Sequence, residues 1–82
     1  MKKTIYSKQA TIIAERIRSI REKSGLTSRQ LSKTLGKGHS YISNCEVGER
    51  RVDMAEFYWI CKACGASPQK EVSALIKAFD KI

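Results

Sequence analysis

Acidic residues are scarce in this chain. Its 82 residues include 8 Asp and Glu against 16 Lys and Arg, leaving a formal charge of +8. Such a surplus either keeps a small protein soluble or forms a footprint for a polyanion, most often a nucleic acid. Because basic residues appear in most segments, charge alone locates no site. The three cysteines cannot all pair within one chain, and none has the spacing of a secreted disulfide scaffold. No run approaches the ~20 apolar residues that cross a bilayer, so no membrane association is expected. The basic start MKK leads into an interrupted polar stretch without an apolar signal region, and a reducing, cytoplasmic setting is expected. The single histidine, His39, has no accompanying nucleophile or carboxylate motif, and no glycine-rich phosphate loop follows a strand. No enzyme, small-molecule substrate or cofactor is expected.

Strand signals are missing too: no hairpin dipeptide occurs, and apolar–polar alternation is never sustained. The remaining pattern is helical, and it predicts an all-α, compact five-helix bundle. Residues 1–9 are polar and basic, read as an arm or frayed helix start, with one domain over 10–82. A first helix is expected over 10–24, with Ile13, Ile17 and Ile20 striped at spacings of four and three. Thr27 opens a second helix with Gln30 at capping-box spacing, and Gly36 closes it. A third covers about 39–46 and stops near Gly48. Asp53 with Glu56 caps a fourth, which Gly65 ends. Ser67 and Pro68 open a fifth, over 67–81.

The most informative stretch is 27–48, TSRQLSKTLGKGHSYISNCEVG. Leu31, Leu35, Ile42 and Cys45 repeat at helical spacing on either side of Gly36. That glycine stands where a left-handed residue lets one helix stop and the next cross it steeply. A helix-turn-helix needs such a bend, and its second helix protrudes. On a basic small protein, a protruding helix points to the major groove of double-stranded DNA.

In the fourth helix, Met54, Phe57, Cys61 and Cys64 recur on one face, which is expected to be buried. Trp59 falls on roughly the opposite side, the position of an aromatic that meets a partner surface. The fifth helix carries Val72, Leu75, Ile76 and Phe79 at i, i+3, i+4 and i+7. That stripe either completes the core or forms a dimer seam. Cys61 and Cys64 form C-x-x-C, but no second such pair or H-x-x-x-H accompanies them, so core packing is expected and no metal site.

Taken together, several motifs resemble the lambda-repressor and Cro-type helix-turn-helix regulators, the xenobiotic-response-element family. They are ERIRSIREKSGLT, the L-x-x-x-L-G of Leu31 to Gly36, SYIS at 40–43, E-x-G at 46–48 and ACGASP at 63–68. The resemblance runs from about Ile13 to Pro68. It implies a five-helix bundle that dimerises and binds palindromic operators. It also implies an ion pair between Arg21 and Glu46 that locks the recognition helix to its scaffold. Four positions depart from the family pattern. Ser28 replaces the usual Gln, Ser32 an Ala, Lys37 an apolar turn residue and Cys45 a larger apolar plug.

With Ile42 and Cys45 directed inward, His39, Ser40, Ser43 and Asn44 are expected to face out as base readers. His39 can donate to guanine N7 or O6, Asn44 can pair with adenine N6 and N7, and Ser40 can donate or accept. These positions match those the family uses. His39 can equally be a surface histidine or cap, and Asn44 a solvated residue or phosphate contact. Phosphate contacts are expected from Ser28, Arg29, Lys37, Tyr41, Arg50 and Arg51. The sequence reads as a repressor acting as a homodimer. The alternatives are an antitoxin or controller subunit, with Trp59 or the fifth helix binding another protein, and a protein-bridging coactivator.

Overall fold

The computed structural model describes residues 8–82. Five helices follow in order: α1 (Lys8–Ser24), α2 (Ser28–Thr34), α3 (Tyr41–Glu46), α4 (Met54–Ala63) and α5 (Pro68–Asp80). No strand occurs among the described residues. Of the expected arm at 1–9, residues 1–7 lie outside the described residues, while Lys8 and Gln9 already belong to α1.

Local chemistry sets the boundaries. At the start of α2, Thr27 and Gln30 form a reciprocal capping box, and Asp53 and Glu56 form another at α4. Ser67 caps α5, with Pro68 in the first turn, where its missing N–H costs nothing. Gly36 ends α2 with φ +71°. Around it, Lys37 N–H donates to the Ser32 carbonyl and Gly36 N–H to the Lys33 carbonyl, both at 2.9 Å. These two bonds are a Schellman closure, which satisfies carbonyls that the helix end would otherwise orphan.

Four side chains with no solvent exposure, one from each of α1 to α4, meet in the core: Ile17, Leu31, Ile42 and Ile60. Enclosing each such side chain contributes about 1.5–3 kcal/mol, so each of these four helices is tied to the others through its own anchor. Leu75 supplies the contact from α5, at 6% exposure. Phe57, Cys45 and Cys61 fill the space between.

Two expectations need correction. The third helix begins at Tyr41 rather than at 39, since His39 and Ser40 still belong to the turn. Met54, expected in the buried face of α4, is 66% exposed. The buried face of α4 is centred on Phe57, Ile60 and Cys61. Met54, at the first position of the helix, instead rims an apolar groove with Val72, Ile76 and Phe79. Cys64 is half-buried and Trp59 is exposed.

Candidate nucleic-acid interface

The α2–turn–α3 unit presents a basic groove. Thr27, Arg29, Gln30, Lys33, Lys37 and His39 line it, with no carboxylate among them. Arg29 and Lys33 stand one helical turn apart on α2, and the Schellman turn carries Lys37 and His39 back over the same side. Lys33 belongs to this groove although the motif did not single it out. Its i+4 spacing from Arg29 is the signal that would have found it.

Beyond the turn, Ile42 and Cys45 face the core, leaving His39, Ser40 and Asn44 exposed and Ser43 half-buried. The Ser43 hydroxyl donates to the Ser40 carbonyl at 3.0 Å. Ser40 occupies the N-cap of α3, yet its side chain makes no capping bond. A residue of α2 performs part of that task. Ser32, fully buried, accepts from the Ile42 N–H at 3.0 Å and donates to the Ser28 carbonyl at 2.9 Å. Nothing local in the sequence announces this, because the accepted amide lies ten residues ahead.

Behind α3, a second cluster fixes the loop to α4. Tyr41, expected to contact phosphate, is a core residue at 9% exposure whose hydroxyl donates to Glu56 Oε2 at 2.9 Å. Arg50 also pairs with Glu56, and its guanidinium lies 5.0 Å from the centre of the Tyr41 ring. Lys37 Nζ lies 5.4 Å from the same ring, so the ring face attracts two cations. Burial, with the bond to Glu56 next, pushes the Tyr41 hydroxyl up to about 12. Burial also raises Glu56, but the Asp53 amide, Tyr41 and Arg50 together hold its carboxyl below its usual range. Arg50 and Arg51 line a different concavity, together with Glu15, Arg18 and Glu49, although Arg50 shares the Tyr41 ring with Lys37 of the basic groove.

Arg21 of α1 binds Glu46, the last residue of α3, in two-pronged fashion. Nε donates to Oε2 at 2.6 Å and Nη2 to Oε1 at 3.1 Å. Its remaining nitrogen, Nη1, donates to the Leu26 carbonyl at 3.0 Å. The side chains are 15% and 8% exposed, and the Glu46 bond raises the already high Arg21 pKa.

Of the C-x-x-C pair, Cys61 is buried and Cys64 half-buried, and burial pushes the Cys61 thiol up to about 11. A thiol held protonated in this way is a poor nucleophile. On α5, Leu75 is buried, Val72 and Phe79 are half-buried, and Ile76 is 50% exposed.

The helix-turn-helix domain family matches residues 12–75. Among solved structures, the XRE-family like protein from Pseudomonas syringae pv. tomato str. DC3000 superposes with a TM-score of 0.82 at 30% sequence identity. The match covers 94% of each chain. No curated protein sequence matches. With the helix-turn-helix family match and the XRE-like fold in agreement, the chain belongs to the XRE, or lambda-repressor-type, helix-turn-helix regulators, DNA-binding proteins of transcription.

Proposed function

We propose that this protein is a repressor that binds a palindromic operator as a homodimer, with the start of α3 in the major groove. The observation that carries this reading is a groove that gathers Arg29, Lys33 and Lys37 with His39, followed along the chain by the exposed Ser40 and Asn44. The cations hold phosphates on one side while His39 and Asn44 reach base edges beside them. Ser28 and Arg29 open α2 towards the backbone, and Arg50 and Arg51 approach it from beyond α3. Tyr41 acts indirectly by holding Arg50. The apolar groove rimmed by Met54, Val72, Ile76 and Phe79 is the seam for the second copy. Half-sites then lie about one helical turn apart, ~34–36 Å.

Selection of bound duplexes from a random DNA library tests the reading, since it returns motif, symmetry and spacing together. The expected result is an inverted repeat whose enrichment collapses for His39→Ala and Asn44→Ala. Enrichment of no motif, or unchanged selectivity in both variants, overturns it.

A second reading rests on Trp59, 57% exposed and packed edge-on against Tyr58 at 5.1 Å. This aromatic pair on α4 suits a protein partner of the controller or antitoxin kind. Co-purification of a partner that Trp59→Ala releases would favour it.

A further inference from the structure

The first turn of α3 has an unusual source of capping. A helix start exposes amides that need acceptors, and the N-cap side chain normally supplies one. Here Ser40 leaves that role unfilled. The Ile42 amide, buried with its side chain at 0% exposure, is satisfied by Ser32 Oγ at 3.0 Å, from the neighbouring helix. The same hydroxyl gives its proton to the Ser28 carbonyl at 2.9 Å. One atom therefore joins the start of α2, at Ser28, to the start of α3, at Ile42.

We infer that Ser32 is a specificity-positioning residue, which fixes the register between the phosphate-facing start of α2 and the base-facing start of α3. It contacts no DNA itself. This rests on the reading that α2 meets phosphate and α3 meets bases. The bridge sets where His39 and Asn44 stand once α2 is seated. Without it, the Ile42 amide is left buried and unpaired, and the α3 start shifts to find another acceptor. Phosphate contacts tolerate such a shift because they carry no sequence information, whereas base contacts do not.

The decisive quantity is the ratio of affinity for the library-selected duplex to affinity for random-sequence duplex. Both affinities are measured on the same preparation, so any unfolded fraction cancels. Ser32→Ala should lower this ratio about tenfold, the scale of one lost buried hydrogen bond, and leave the salt dependence of random-duplex binding unchanged. Ser32→Cys fills the site with a somewhat larger heteroatom but weakens both bonds, and should lower the ratio similarly. In the free protein, amide exchange at Ile42 should accelerate in both variants more than at Leu31. An unchanged ratio in Ser32→Ala, or a wild-type ratio in Ser32→Cys beside a reduced one in Ser32→Ala, overturns the inference, the latter by showing that volume alone matters. If wild type enriches no motif, the DNA reading fails by itself. The Ile42 exchange then decides the bridge, and unchanged exchange there refutes it.

Discussion

Arg21 and Glu46 join the ends of two helices through two parallel hydrogen bonds, of 2.6 and 3.1 Å. Because α3 has only six residues, it cannot hold its own orientation by helix propensity. The pair clamps its C-terminal end to α1, while Ser32 holds its start. Glu46→Ala leaves a guanidinium partly buried without its carboxylate. Removing one member of a fully buried pair costs ~3–5 kcal/mol, and an exposed pair contributes under ~1. With both side chains at least 85% covered, a loss of about 2–4 kcal/mol is expected in urea denaturation. DNA affinity should fall in parallel. A wild-type melting temperature would show that the clamp contributes nothing.

Stability should fall in alkali through Tyr41. Its hydroxyl ionises at 10.0 in the unfolded chain and is pushed up to about 12 in the fold. Between those values the unfolded chain has released a proton that the folded protein retains, so rising pH favours unfolding. The Tyr41 contribution is complete below pH 10.0 and disappears as pH climbs towards about 12. The phenolate absorbance of the folded protein should therefore show a step near 12 that Tyr41→Phe deletes. A titration of wild type that lacks this late step would contradict the burial and Glu56 bond described for Tyr41.

Gly36 tests the turn by its backbone alone. Its φ is +71°, and a Cβ there would meet nothing within 4 Å. Any cost of Gly36→Ala is then conformational rather than steric, about 1–2 kcal/mol for a left-handed residue. Gly36→Asn should lose less, since asparagine visits that region more readily. Equal stability of all three proteins would mean that the turn can relax out of the left-handed conformation.

The parts of this fold that were legible in the sequence are those set by neighbours in the chain. Thr27 and Gln30, Asp53 and Glu56, Ser67 and Pro68 each state a helix start within four residues, and the helices begin there. The stripe of Ile17 and Ile20 and the inward Ile42 and Cys45 follow from periodicity. Tertiary partners were harder to see. Tyr41 resembles a surface tyrosine beside a basic turn until α4 brings Glu56 to its hydroxyl. Ser32 looks like a neutral stand-in for alanine until α3 folds over it. Met54 has the spacing of the core face, but its place at the start of α4 leaves it open. At the candidate interface, the exposure of His39 and Asn44 followed from the inward neighbours, whereas the gathering of Lys33 with Lys37 and His39 depends on how the turn folds back.

Two adjacent residues of α5 allow folding to be tested apart from the proposed association. Leu75 is 6% exposed and packs into the core, whereas Ile76 is 50% exposed on the rim of the apolar groove. Leu75→Ala opens a cavity between α5 and the bundle and should cost about 2–5 kcal/mol in denaturation. Ile76→Glu removes no enclosed contact, so the fold should keep its stability. It does place a charge where the second copy would press an apolar surface, at a steep desolvation cost. Sedimentation at micromolar protein should then show wild type as a dimer and Ile76→Glu as a folded monomer. Since each half of a palindrome is bound by one subunit, this variant should also lose affinity for the full operator while binding a single half-site as wild type does. A wild type that stays monomeric with operator present would remove the seam, and a dimeric Ile76→Glu would move it away from α5.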